Sequence, residues 1–140
     1  MFDKFFPDRY VASTYVIDFE GLYKEGVRGL IFDIDNTLVP HGAPADERAR
    51  ALFKRLKSIG FRCCLISNNQ KPRVEMFNKD IQVDYVYNAH KPSIRNYLKA
   101  MEIMGTDRDS TVFIGDQLFT DVWGAKRAGI PNLSLIHISE

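Results

Sequence analysis

Residues 29–39 read Gly29-Leu30-Ile31-Phe32-Asp33-Ile34-Asp35-Asn36-Thr37-Leu38-Val39, a string that begins apolar and turns acidic. Gly29–Phe32 is an unbroken β-prone run with Gly26 before it and the polar Asp33–Asp35 turn after it. A strand wetted on one face alternates apolar and polar residues. A continuous run suits a strand buried on both faces, as in a parallel sheet covered by helices. The acidic turn then falls at the carboxyl end of the strand, where open α/β sheets bind their ligands.

The chain on either side repeats this plan. Further strands are expected at Phe61–Ile66, Tyr85–Tyr87 and Thr111–Ile114. Between the first two strands Ala49, Leu52, Phe53, Leu56 and Ile59 recur at helical spacing over Asp46–Ile59, with Gly60 as a stop. A short helix is expected around Arg73–Asn78. Pro92, at the tolerated first helical position, opens another that carries Ile94, Tyr97, Leu98, Met101 and Met104. A last helix runs from about Thr120 to Ala128, capped by Gly129. Strands alternating with helices predict an α/β fold, a doubly wound three-layer sandwich around a mainly parallel sheet. No repeat, low-complexity stretch or linker interrupts it, and 140 residues supply one core rather than two.

Composition narrows the function classes. Nineteen basic residues (Lys and Arg) against eighteen acidic ones (Asp and Glu) give a formal net charge of +1, so no global field draws the chain to nucleic acid or an anionic membrane. No apolar run approaches the ~18–20 residues that span a bilayer, and no signal peptide is visible. The only cysteines, Cys63 and Cys64, are adjacent. Neighbours in a strand point to opposite faces, so they read as reduced core thiols, which suits a cytoplasmic protein. His41, His90 and His137 lack metal-ligand spacing, and Phe119 and Trp123 read as packing residues.

Polar residues gather at the strand ends: Asp33 and Asp35, then Ser67 and Asn68, then Gly115 and Asp116. Two carboxylates two residues apart should have their pKa values driven apart, so that one attacks as an anion while the other handles a proton. A calcium loop is excluded, because Thr37 and Leu38 stand where an EF-hand needs a ligand and a glycine. A solvated acidic turn stays open for the pair alone. Ser67 offers a hydroxyl and a backbone N–H to an anion, and Lys91, before Pro92, sits at a helix start where an ammonium and free donors meet. Gly115-Asp116-Gln117-Leu118-Phe119-Thr120-Asp121 adds two acids after the fourth strand.

Taken together and in this order, these motifs resemble the four of the haloacid dehalogenase superfamily: DxDxT, then Ser or Thr, then Lys, then GDxxxxD. The resemblance implies a HAD-like Rossmannoid fold and a magnesium-dependent phosphatase working through an aspartyl-phosphate. Asp33 would be the nucleophile, Asp35 the general acid/base, and Lys91 the catalytic cation. Thr37, Ser67, Asn68 and Lys91 would hold the phosphate. Asp33, Asp35 (through its backbone carbonyl), Asp116 and Asp121 would hold Mg²⁺. The second acid, Asp35, favours phosphoryl transfer over dehalogenation. About thirty residues separate Asp35 from Ser67 and some two dozen separate Ser67 from Lys91, too few for a large cap domain of roughly 50 residues or more.

In finer detail Phe6-Pro7-Asp8, Asp33–Val39, Ser67-Asn68-Asn69, Lys91-Pro92 and Gly115–Val122 resemble the YqeG family of subfamily IIIA, which is similar to the mitochondrial phosphatidylglycerophosphate phosphatases. That implies hydrolysis of a phospholipid headgroup phosphate, phosphatidylglycerophosphate to phosphatidylglycerol, in phospholipid biosynthesis. The alternatives are a phosphatase for a soluble phosphomonoester or a phosphoprotein, and a non-catalytic binding module on the same fold. The expected partner is a phosphorylated substrate, as lipid at a membrane surface, with no nucleic acid and no transmembrane segment. Residues 1–132 form the expected phosphatase domain, with residues 1–24 as an N-terminal extension. Phe2, Phe5, Phe6, Tyr10 and Val11, with Lys4 and Arg9, suit either a membrane surface or packing on the domain. A cytoplasmic location, peripheral at the inner membrane face, follows from the first option. Residues 133–140 read as an anomalous tail, a truncation or artefact, whose apolar residues fit an edge-strand slot.

Overall fold

The computed structural model describes residues 9–11, 13–67, 69–87, 94–116 and 129–135; for Arg9–Val11, Asp116, Asn132, Ser134 and Leu135 it describes the backbone alone. The elements in chain order are β1 (Arg9–Val11), a 3-10 turn (Thr14–Val16), α1 (Phe19–Lys24), β2 (Gly29–Asp33), α2 (Glu47–Ile59), β3 (Arg62–Ile66), α3 (Lys71–Asn78), β4 (Asp84–Val86), α4 (Ile94–Met104), β5 (Thr111–Asp116) and β6 (Asn132–Leu135). The six strands form one sheet in the order β1-β6-β5-β2-β3-β4, and every pairing is parallel.

The expected α/β sandwich is present, and the continuous apolar runs explain it. Along β2, Leu30 and Phe32 belong to one core and Ile31 to the other. Along β3, Cys63 and Leu65 face the first core while Cys64 and Ile66 face the second. Residues with period two and both faces apolar require helices on both sides. Ala49, Leu52, Phe53 and Leu56 of α2 cover the first face, and Tyr97, Ala100, Met101 and Met104 of α4 cover the second. Phe32 meets Phe53 at 5.1 Å and Phe19 at 6.4 Å between ring centroids. Burying a side chain of that size contributes about 1.5–3 kcal/mol. The two cysteines are free and lie on opposite faces of β3. Burial pushes both thiols up to about 12, helped by Cys64 beside Cys63 and by Asp84 near Cys64.

The elements read from the sequence shift by a residue or two at their ends. Asp46 caps α2 by accepting from the Ala49 N–H at 2.8 Å, and Gly60 closes it at φ 121°. A β-carbon at Gly60 would also sit 2.8 Å from the Tyr23 hydroxyl. Helix α3 begins at Lys71, two residues before the expected start, because Pro72 fits a first-turn position. In α4 the spacing put five residues on the core side, yet Ile94 and Leu98 are exposed. Ala100 takes the core position instead, leaving room for Tyr97 to meet Phe113 edge-on at 5.3 Å. Pro92, His90, His137, Phe119, Trp123 and the expected helix over 120–128 lie outside the described residues.

Two regions differ more. The segment after Ser13 is packed into the domain: Thr14, Ile17, Phe19 and Leu22 are buried, and Phe19 meets Phe61 at 6.2 Å. The Arg55 guanidinium pairs with Glu20, tying α1 to α2. Residues 1–8, with most of the aromatics considered for a membrane surface, lie outside the described residues. At the other end, β6 runs across the 132/133 boundary suggested by the sequence. It lies inside the sheet between β5 and β1, not at an edge, and Leu133 is buried there. The pairing of Arg9–Val11 with Leu133–Leu135 covers what would otherwise be an open row of backbone groups. Among the described residues no helix is long and apolar enough to cross a membrane.

Candidate active site

The order of the strands places the site. From β2 the chain moves outward through β3 and β4, then crosses back to β5 on the other side of β2. Strand order therefore reverses between β2 and β5, and ligands of open α/β sheets bind outside the carboxyl ends at that point. Asp33 ends β2 and Asp116 ends β5, so two of the four expected metal-binding positions stand on the two strands that flank the switch.

Asp33 is 3% exposed. Its Oδ1 accepts from the Ile34 N–H at 2.9 Å, and its Oδ2 accepts from the Thr37 hydroxyl at 3.4 Å. Both donors come from the turn that follows the aspartate. That turn closes locally, with the Thr37 and Leu38 N–H groups donating to the Ile34 carbonyl and the Asn36 N–H to the Val39 carbonyl at 2.8 Å. Asn36 takes φ 62°, the left-handed region, which asparagine enters more readily than other non-glycine residues. From outside, the Thr14 hydroxyl donates to the Thr37 carbonyl and the Tyr15 hydroxyl to the Leu38 carbonyl, each at 2.7 Å.

Asp35 has a different setting. Its Oδ1 accepts from the Gly42 N–H at 2.8 Å and from Arg73 Nη2 at 2.7 Å, while its Oδ2 accepts from Asn69 Nδ2 at 2.9 Å. His41 Nδ1 lies 3.9 Å away on an exposed ring. Burial alone would push the Asp35 carboxyl up. The Arg73 hydrogen bond, the Gly42 N–H and the charges of Arg73 and His41 outweigh it and hold the group below the usual carboxylate range. This setting favours the anion. It suits the half of an acid/base role that accepts a proton, while giving one requires a change in these contacts.

Ser67 follows β3 and is 1% exposed. Its N–H donates to the Val86 carbonyl and its Oγ accepts from the Asn69 N–H, each at 3.0 Å. Register places Asp33 beside Ile66, so Ser67 stands one residue past the partner of Asp33 on the adjacent strand. The described residues thus bring Asp33, Asp35, Thr37 and Ser67 to one end of the sheet, with the backbone of Asp116 beside them. Asn68, Lys91 and Asp121 lie outside the described residues, as does the Asp116 side chain. Among the described residues no group of three or more His, Cys, Asp or Glu side chains gathers. Asp33 supplies a buried hard-oxygen donor at the switch point, the donor chemistry that Mg²⁺ takes. The Asp35 carboxylate is committed to Arg73.

Asn69 and Arg73 were not singled out as site residues by sequence reasoning. One signal was available for Arg73. It stands in the first turn of α3, which has Lys71 there too and no acid, so it opposes the helix dipole. A cation in that position points to a separate employment.

Comparison with known proteins places this geometry. The family model of the haloacid dehalogenase-like hydrolases matches residues 43–129. YqeG of Bacillus subtilis, described as a probable phosphatase, is 35% identical over 141 aligned positions, covering 99% of this chain and 82% of its own. A glyceraldehyde 3-phosphate phosphatase of Pyrococcus abyssi is 23% identical over 91 residues, 59% of this chain and 38% of its own. Among solved structures, the 3-deoxy-D-manno-octulosonate 8-phosphate phosphatase of Moraxella catarrhalis superposes with a TM-score of 0.62 at 14% identity, covering 81% of this chain and 72% of that one. That crystal holds a magnesium ion, a phosphate ion and the sugar acid.

Proposed function

The chain belongs to the haloacid dehalogenase-like hydrolases, in the YqeG family of phosphatases, and from that premise we propose a magnesium-dependent phosphomonoesterase that works through an aspartyl-phosphate on Asp33. The observation that carries the reading is the Asp33 carboxylate: buried at the end of the central strand, held by its own turn, beside the strand-order switch.

In this proposal an Asp33 oxygen attacks phosphorus, the ester P–O bond breaks, and Asp35 gives a proton to the departing oxygen. Water then attacks the acyl phosphate, Asp35 takes its proton, and inorganic phosphate leaves. The hydroxyls of Thr37 and Ser67, the backbone near Asn68 and the Lys91 ammonium hold the equatorial oxygens. Asp33, the backbone carbonyl of Asp35, Asp116 and Asp121 would hold Mg²⁺, which offsets the repulsion between carboxylate and phosphate. The Thr37 hydroxyl lies 3.4 Å from Asp33 Oδ2, so it stands beside the carboxylate proposed to attack.

The substrate assigned is a phospholipid headgroup phosphate, phosphatidylglycerophosphate giving phosphatidylglycerol. Support comes from the resemblance to lipid-phosphate phosphatases and from the short connection between Asp33 and Ser67. Between Asp33 and Ser67 the chain contains only a turn, α2 and β3, so no inserted domain closes over the strand ends there. An open site accepts a phosphate carried on a large or surface-bound molecule. Activity on 4-nitrophenyl phosphate with Mg²⁺ should be lost in Asp33→Asn; equal rates in both would end the nucleophile assignment. Turnover of phosphatidylglycerophosphate vesicles is expected to exceed that of sugar phosphates and nucleotides. A preference for the soluble esters would sink the lipid assignment and leave the phosphatase standing.

A further inference from the structure

Asp35 follows the strand rather than ending it, held in its turn by an isolated bridge to Val39. Its own loop supplies one donor, the Gly42 N–H, to its carboxylate. The other two donors reach across from the segment after β3: Asn69 from the loop that carries Ser67, and Arg73 from the first turn of α3.

Arg73 does more than pair with a carboxylate. Its Nη2 donates to Asp35 Oδ1 and its Nη1 to the Ala43 carbonyl, each at 2.7 Å, so one planar fork fastens both ends of the loop 35–43. The pair is sheltered, with both side chains 13% exposed. The third donor, Nε, is buried without an acceptor among the described residues. A surface ion pair chosen for stability alone would not strand a donor, since exposed pairs leave every N–H to water. A guanidinium serves two diverging acceptors from one rigid plane, whereas a lysine ammonium offers its donors from a single rotatable point and lacks that fixed fork.

We infer that Arg73 is a positioning residue for the reaction, whose forked guanidinium fixes the Asp35 carboxylate and its loop where they serve the phosphoryl group. The inference rests on the acid/base role proposed for Asp35. It adds a residue outside the four motifs and makes α3 part of the machinery.

The test is a double-substitution cycle in the full chain with Mg²⁺, comparing wild type, Arg73→Ala, Arg73→Lys, Asp35→Asn and the Arg73→Ala/Asp35→Asn pair. Two substrates are used, 4-nitrophenyl phosphate and glycerol phosphate. Arg73→Ala should lower kcat about 10- to 100-fold with KM nearly constant, the size of effect expected when a reacting group is displaced by an ångström. Arg73→Lys should fall between that variant and wild type. The loss should appear with both substrates, because Asp35 takes the proton of the attacking water whichever ester is cleaved. The paired variant should be no slower than Asp35→Asn alone, since Arg73 acts through that carboxylate. Losses that multiply, a loss confined to KM, or wild-type kcat in Arg73→Lys would each overturn the inference. Wild-type kcat in Asp35→Asn would instead overturn the role of Asp35, a distinguishable failure. If thermal melts show Arg73→Ala to be unfolded, Arg73→Lys with Asp35→Asn carries the cycle.

Discussion

The two carboxylates at 33 and 35 are separated by one residue and live under different rules. Among the described contacts, Asp33 accepts from Ile34 and Thr37, one and four residues away. Asp35 draws two of its three from Asn69 and Arg73, 34 and 38 residues away, on the far side of α2 and β3. One group is set by a strand end and its turn. The other is set by the packing of a second βα unit against the first. The lesson is that two carboxylates in one turn can depend on different parts of the chain: contacts within the turn reach Asp33, whereas Asp35 needs α3 and the loop after β3 to be in place.

Substitutions at the two positions should separate these regimes. If Asp33 is the nucleophile as proposed, Asp33→Asn should reduce kcat by about 10³-fold or more, the scale seen when a nucleophile is lost. Asp35→Asn should cost about 10²–10⁴, the usual span for general acid/base catalysis. It should also lower stability by about 1–2 kcal/mol in urea titrations, because a hydrogen bond from a cation to a carboxylate becomes one to a neutral amide. A stability loss at 33 and not at 35 would reverse the comparison.

The same division explains what could be read from the sequence. Strands β2, β3 and β5 and helix α2 carry their evidence within themselves, as unbroken apolar runs or as Ala49-Leu52-Phe53-Leu56 spacing with Asp46 and Gly60 at the ends. Asp33, Thr37 and Ser67 follow because a polar residue after such a strand must lie at its carboxyl edge. Strand β1 has three residues and pairs only with β6 among the described strands, a relation more than a hundred residues long in sequence, while the four residues of β6 are held between β5 and β1. Helix α1 is six residues, too short for periodicity to register; it is held by Phe19 and Leu22 in the core. Asn69 is illegible for the reason given for Asp35, since its partner is set by assembly; Arg73 shows in the sequence only as a cation set against a helix dipole, which does not name its partner.

A local feature of the first aspartate's turn offers a smaller test. Asn36 at φ 62° should accept Gly almost without cost, while Asn36→Val should destabilise by about 1–2 kcal/mol, the penalty of placing a β-branched residue in the left-handed region. Chemical denaturation measures both. If the turn is built locally, the Val variant should also lose activity at Asp33 in proportion, and equal stability of the Val and Gly variants would argue that packing holds the turn.

The smallest effect probes the long-range brace on that turn. Tyr15 donates to the Leu38 carbonyl at 2.7 Å, and its ring lies 4.0 Å beneath the Arg48 guanidinium. Burial first, and then the Asp46 carboxylate, push its phenol up to about 12 against the pull of Arg48. A phenol whose pKa is raised on folding resists losing its proton. The stability it lends is complete below its ordinary value of 10.0 and drains away as pH climbs from there towards about 12. Tyr15→Phe should therefore cost about 0.5–1.5 kcal/mol near neutrality, the net worth of one hydrogen bond. The gap between wild type and variant should stay constant up to about pH 10 and close above it. Urea titrations at a series of pH values measure that gap. A gap that widens with pH would mean that the phenol is held as its anion, and Leu38 could not be its acceptor.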